Sequence, residues 1–458
     1  MAMRIAAKAA GPSGGEPGNG RARRADFTDV RANNLGYVLR QVRAEGRCSR
    51  ADLAAKTGLN KATVSSLVAE LIDRRVLRES GSVIGNIGRP AVLLSVDTGY
   101  YASLGVEVNV DYMTLVAVDL GGNRLLSWRR AHDGAGSTAG KSVSALAGLA
   151  KRAVDKMDSE GRQILGLAVA VPGMIDNDGV VQRAPMLGWT DFDLTVRLHA
   201  AMRDPKYAVS VDNDANLGAV AEQRFGAYAG VGNMLYLTGE IGLGSGLIVD
   251  GALRRGATGF AGEIGNLLIE IDGRTGRVED LASIRTVLAE LAEAEQIAGT
   301  EVEAEVEDIV TRARAGEARV VGTLERIGRA LGAGIALAVD LLNPEAVVLG
   351  GHYQALSPWI VPAAETELAA RTHASGAGGA EIVVSALGHE APALGAATGI
   401  LNDIDAGLMP TPLGSLPRFV SQLLHRPSPQ LTGSRRPPGS RAPSSGPPSA
   451  LTGEAAAV

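Results

Sequence analysis

The sequence predicts an α/β protein: a winged helix-turn-helix head followed by a larger α/β body in two lobes. Three observations carry this reading. A Leu/Val stripe at helical spacing recurs between residues 35 and 71, broken by turn residues. From Tyr101 the apolar period shortens to that of strands, then strand alternates with helix. Charge is segregated: residues 31–94 hold 11 Lys/Arg and 5 Asp/Glu, a local +6, while the 458-residue chain carries −5, leaving −11 elsewhere. A basic module on an acidic body points to a nucleic-acid partner that net charge alone would argue against.

The remaining composition sets the class. Hydrophobic residues make up 45% but aromatics only 3%, so the cores must be filled by Ala, Val, Leu and Ile. A lone cysteine, Cys48, excludes an intramolecular disulfide and a cysteine-built zinc site, and fits a reducing, cytoplasmic setting. No signal-peptide core and no long uncharged apolar run is visible, so no membrane partner is expected.

In chain order, residues 1–26 are Gly-, Pro- and Arg-rich and are expected to be a disordered leader. The DNA-binding domain is expected over 27–94. Leu35, Val38, Leu39 and Val42 form one helical face that Gly46 ends; Ser49 and Asp52 make a capping-box pair for a short second helix; Gly58 turns the chain. Asn60 then caps a third helix, Lys61 to Arg75, in which Val64, Leu67, Val68 and Leu71 point inward. Lys61, Thr63, Ser65 and Ser66 fall on its other faces, a polar N-terminal patch of the kind that enters a major groove. Two β-prone runs around Gly85, Asn86 and Gly88 read as a wing with Arg89 at its tip, where an arginine can probe a narrow minor groove.

The body, over 97–403, begins with three strand-like runs, then a helix from Ser142 to Met157 and the apolar strand "ILGLAVAV". A helix near Asp191 to Met202 leads to "AVSVDNDAN", whose Asn213 and Asp214 fall at a strand's carboxyl end, where ligands of α/β proteins bind. A glycine-rich turn with Gly242, Gly244 and Gly246 and then Glu263 complete a small-molecule pocket. Helices are expected over Ala282 to Gln296 and Ala318 to Leu342, followed by the strand "PEAVVLGG" ending at Gly350 and Gly351, the strand "AEIVVSAL", and a last helix capped by Pro392. Similar element order on either side of Phe225 implies two lobes with a cleft. Residues 404–458 turn Pro-, Ser- and Gly-rich and are expected to be a disordered tail.

"SRADLAAKTGLNKATVSSLVAELIDRRVLRESG", "GRPAVLL", "NDAN", "GFAGEIG" and "NPEAVVLGG", in this order, resemble the ROK family of sugar kinases and transcriptional repressors over about residues 30–403. The resemblance implies an actin-like (RNase H-like) two-lobed sugar-kinase fold behind the winged head. It also implies that Asp214 stands where the kinases have a catalytic base, and that Asn213 and Glu263 match sugar-hydroxyl partners. Glu279 falls where the family has another sugar-binding glutamate, and Asn266 at a zinc-ligating histidine.

Departures from the family set the expected chemistry. In the first phosphate-binding hairpin Glu107 stands for an aspartate, Asn109 and Val110 for two glycines and Asp111 for a threonine; in the second turn Glu240 and Ile241 replace glycine and threonine. A carboxylate facing a polyphosphate at 4 Å is repelled by roughly 1 to 4 kcal/mol. Asn266 and the absence of cysteine after it remove the family's zinc site, so no metal, cofactor or catalytic residue is expected. The sequence therefore reads as a dimeric or tetrameric repressor of carbohydrate genes, binding a double-stranded DNA operator and a sugar effector held by Asn213, Asp214, Glu263, Asn266 and Glu279. A sugar kinase with a regulatory head is the alternative from a different class, and a DNA-binding protein that takes no ligand is a third.

Overall fold

The computed structural model of the chain describes residues 27–83, 91–291, 302–372 and 379–410. The leader, the wing tip with Arg89 and the chain beyond residue 410 lie outside them.

In the head, α1 (Phe27–Glu45) buries Leu35, Val38, Leu39 and Val42. β1 (Cys48–Ser49) leads into α2 (Arg50–Thr57), where Ser49 Oγ accepts from the Asp52 N–H and the Asp52 carboxylate accepts from the Ser49 N–H, a complete capping box. Gly58 ends α2 at φ 70°. α3 (Lys61–Asp73) is capped by Asn60 and buries Val64, Leu67, Val68 and Leu71. It stops two residues before the expected end because Arg75 adopts φ 58° and turns the chain. β2 (Leu77–Val83) and β3 (Ala91–Val96) form the antiparallel wing, and β1 adds a strand on the far edge of β3, which the sequence does not announce.

The first lobe is a five-stranded sheet. β4 (Tyr101–Val108), β5 (Tyr112–Val118) and β6 (Arg124–Ala131) make an antiparallel meander. After α4 (Ala139–Ser159), β7 (Gln163–Val171) lies parallel to β4. A small sheet of β8 (Met174–Ile175), β9 (Val181–Ala184) and β10 (Trp189–Phe192), then α5 (Leu194–Ala201), precede β11 (Ala208–Asn213), parallel to β7. α6 (Asp214–Phe225) follows directly.

The second lobe repeats that plan. β12 (Met234–Gly239), β13 (Leu243–Val249) and β14 (Ala252–Leu253) are antiparallel. The hairpin β15 (Leu268–Ile271) and β16 (Arg274–Arg277) is followed by α7 (Val278–Ala282), α8 (Ile284–Leu291), α9 (Val302–Arg314) and α10 (Ala318–Leu342). β17 (Ala346–Gly351), α11 (Tyr353–Arg371) and β18 (Glu381–Val384) add parallel strands, giving the order β14-β13-β12-β17-β18, the counterpart of β6-β5-β4-β7-β11. α12 (Ala391–Asp405) closes the described chain.

Phe225 is not a clean divide, because the helices are exchanged. α6 follows the first sheet but packs on β12 and β13; α12 follows the second sheet yet packs on β4, β5 and β7, and the two helices lie against each other. Three element-level expectations change. The helix expected over Ala282 to Gln296 begins instead at Ile284 as α8, after Ala282 ends the short α7 and Ser283 runs extended; residues 292–296 lie outside the described residues. Pro392 sits inside the first turn of α12 rather than capping it, with Glu390 at the cap position. Gly244 and Gly246 lie within β13, not in a turn: a Cβ on Gly246 would stand 2.5 Å from the Ala215 carbonyl, so glycine lets α6 press onto the strand.

The head is packed on the body. Val38, Leu39 and Val42 share one apolar core with Leu394, Leu401 and Ile404 of α12. At the end of α12, Asp405 pairs with Arg43 of α1 at 3.0 Å and Arg224 of α6 at 3.2 Å, and its carbonyl accepts from Arg40. No helix among the described residues is long and apolar enough to cross a membrane.

Candidate ligand pocket and nucleic-acid interface

The cleft between the lobes holds a cavity of about 380 Å³, and Asn213, Asp214, Glu263, Asn266 and Glu279 all line it. Their positions follow from local structure. β11 ends at Asn213, whose Oδ1 caps α6 by accepting from the Asn216 N–H at 2.9 Å, while its Nδ2 donates to the Gly173 carbonyl at 2.9 Å. Asn213 is thus first a helix cap, with its amide orientation fixed. Asp214, the first residue of α6, accepts from the Ala215 N–H at 2.8 Å. Burial pushes its carboxyl up to about 7, and the Glu240 and Glu263 charges act in the same direction.

Glu263 also titrates above the usual carboxylate range, through burial and then Glu279. Asn266 Nδ2 donates to Glu263 at 3.3 Å and Asn266 Oδ1 accepts from Arg277 at 2.7 Å, so this amide is held between an acid and a base. Glu279 in α7 pairs with Arg285 at 3.3 Å. The set supplies acceptors and amide donors on several sides of one cavity, suited to a ring of hydroxyls. Arg183, Ser245 and Arg285 also line it, which the sequence reading missed; only their approach in space reveals them.

The two hairpin turns at equivalent places in the two sheets meet across the cleft. Asn109 Nδ2 lies 3.1 Å from Glu107 Oε1 and 3.4 Å from Glu240 Oε2; Tyr112 Oη lies 3.2 Å and 3.3 Å from the same oxygens. Val110 is buried and none of residues 109–111 has positive φ. Burial, then the neighbouring Glu240, pushes the Glu107 carboxyl well above its usual range. Burial would raise Glu240 too, but His389 and His352 outweigh it and hold that carboxyl low. His352 and His389 follow the strand-end glycines and precede the last helix; nothing in their sequence spacing brings them together.

On the head, Lys61, Ser65 and Ser66 are exposed and Thr63 partly so. Asn60 Oδ1 is used in capping, accepting from Thr63 N–H at 2.8 Å, which leaves its amide nitrogen as the outward-facing group. Ser66 lies 3.4 Å from Arg31, which itself pairs with Glu70. Much of the basic charge is internally paired: Arg31, Arg43, Arg50, Lys56, Arg74 and Arg75 each form an ion pair. Lys61 forms none with any described residue.

The model of the ROK family matches residues 103–402 and that of winged helix-turn-helix DNA-binding domains matches residues 38–78. The xylose repressor of Bacillus subtilis (strain 168) is 29% identical over 371 residues, 81% of this chain and 95% of that protein. Among solved structures, a ROK family transcriptional regulator, a homolog of the E. coli MLC protein, has TM-score 0.69 at 25% identity, covering 83% of this chain and 98% of its own. A ROK family glucokinase from Streptomyces griseus, in complex with glucose and AMPPNP, has TM-score 0.53 at 26% identity and covers 65% of this chain and 98% of its own. With two-thirds of its length matched by the family model and a winged head in front, this chain belongs to the ROK family.

Proposed function

We propose that the protein is a sugar-responsive transcriptional repressor whose kinase-like pocket reports to the DNA-binding head through α6. The carrying observation is the helix itself. Its cap Asn213 and first residue Asp214 stand at the pocket, and Arg224 in its last turn holds Asp405, which also holds Arg43 of the head. Twelve residues span about 18 Å at about 1.5 Å each, so a shift at the pocket is passed on as rigid-body motion. A sugar acts only if it binds one arrangement of the lobes better than the other.

In this reading Asn213, Asp214, Glu263, Asn266 and Glu279 hold sugar hydroxyls. Lys61 contacts phosphate; Asn60, Thr63, Ser65 and Ser66 touch phosphates or base edges; Arg89 enters the minor groove. A homodimer, or a dimer of dimers, sets two α3 helices in successive major grooves of a cytoplasmic pseudo-palindromic operator, about 34 to 36 Å apart. Kinase chemistry is lost because Glu240, Asn109 and Tyr112 are bonded together where family kinases cradle phosphates.

Selection and sequencing of genomic fragments bound by the protein is the deciding experiment, followed by release with a panel of pentoses, hexoses and N-acetylated hexoses. Enrichment of a palindromic site released by one sugar is the expected result; random fragments, or release by none, overturns the reading. The second reading, a sugar kinase, rests on Asp214, whose carboxyl titrates near neutrality as a general base requires. ATP consumption with a sugar that disappears in Asp214→Asn would establish it.

A further inference from the structure

Glu240, His352 and His389 converge at the seam of the lobes. Glu240 Oε2 lies 3.8 Å from His352 Nε2, and Glu240 Oε1 lies 3.6 Å from His389 Nδ1. One donor atom from each of the three falls within 4.8 Å of the others. These distances are too long for hydrogen bonds, and His389 Nδ1 is buried with no hydrogen-bond partner. They are close to the roughly 3.3 to 3.5 Å that separates two donors each about 2.0 to 2.2 Å from a tetrahedral zinc ion.

A second observation points the same way. Glu107 is wholly buried and its Oε2 has no partner, while its Oε1 shares the donors of Asn109 and Tyr112 with Glu240. Two carboxylates thus lean on the same neutral donors, and neither forms an ion pair with a described Lys or Arg. Arg129, which stacks on the Tyr112 ring with 4.1 Å to its centroid, is engaged by Glu303 at 3.0 Å. Glu107 is wholly buried and Glu240 keeps 13% of its side chain exposed; with no Lys or Arg among the described residues paired to it, the Glu240 carboxylate would be stabilised by a bound cation.

We propose that Glu240, His352 and His389 bind a divalent cation of the zinc class, joining the second lobe's hairpin turn to the segment that enters α12. Two imidazoles and one carboxylate are the donors such ions favour, and three protein ligands leave a position for solvent. The backbone is shaped for it. Gly351 turns at φ 59°, and a Cβ there would stand 2.7 Å from Glu240 Oε1, so glycine makes room for the carboxylate. The His352 N–H donates to the Gly239 carbonyl at 2.7 Å, fixing one ligand against the strand that carries the other. Asn109 and Tyr112 then serve as hydrogen-bonded supports of Glu240. Glu240 lines the same cavity as the residues assigned to the sugar, but the three ligands include none of those residues, so the site stands whether or not that assignment does.

The test uses the full-length, untagged chain stripped with a chelator, loaded with Zn²⁺ alone, desalted and assayed for bound metal. One zinc per chain is expected, with a raised melting temperature. The His352→Gln/His389→Gln double variant should retain almost none, and His199→Gln should retain it all. Should the double variant lack a native circular dichroism spectrum, His389→Gln alone, at the more exposed ligand, takes its place. Cobalt substitution should give visible d–d bands without thiolate charge transfer. Zinc-free wild type after loading, undiminished zinc in a folded ligand variant, or a thiolate band reporting Cys48 would each overturn the proposal.

Discussion

Lys61 opens α3 and forms no ion pair among the described residues, while six other basic residues of the head are already paired within the protein. The local +6 therefore overstates what the head offers to DNA, and single unpaired cations weigh more. Lys61→Ala should weaken binding evenly across DNA sequences and lower the log–log salt slope by about 1, measured by titration at several salt concentrations. Asp214 makes a second residue-scale prediction. Its carboxyl is raised from 3.8 to about 7 in the folded protein, so the folded state holds the proton more tightly than the unfolded chain does. Stability from this group is greatest below pH 4, falls as pH rises toward 7 and is fully lost above. Asp214→Asn should thus gain in melting temperature relative to wild type across that window and stay level above it; parallel curves would contradict the shift.

Elements were legible in unequal measure. The three head helices could be read because α1 and α3 carry apolar stripes and α2 and α3 begin at caps, Ser49 with Asp52 and Asn60 with Thr63. Ser49→Ala should cost about 1 kcal/mol, visible as earlier thermal unfolding. α11 was hidden because Pro358 and Pro362 lie inside it, residues that ordinarily end a helix. Gly244 and Gly246 read as a turn in the sequence because glycine signals both turns and close packing, and only the neighbouring helix tells the two apart. Asn213 and Asp214 are legible from their place at the end of β11, whereas the roles of Glu263, Asn266 and Glu279 rest on the family resemblance. The gathering of Glu240, His352 and His389 is not legible, since it depends on three segments meeting across more than a hundred residues of chain. α6 and Asp405 make the element-scale prediction of coupling: Asp405→Asn should leave sugar binding within about twofold of wild type while blunting the sugar's effect on DNA affinity. An unchanged sugar response would show that the signal takes another route.

At the scale of the whole molecule, two sheets of matching order face each other, and each is covered by the helix that follows the other. No ATP turnover above background is expected with any sugar of the panel, measured by coupled nucleotide release. The shared core between α1 and α12 has a further consequence for how the protein can be taken apart. Val38, Leu39 and Val42 belong to the same apolar core as Leu394, Leu401 and Ile404, so cutting away the first 96 residues would remove part of that core and expose apolar side chains of α12. A headless fragment should therefore be sticky rather than kinase-like. The DNA reader works here as a plug as well as an attachment, and a fusion that swaps it for another winged head must supply the same seal.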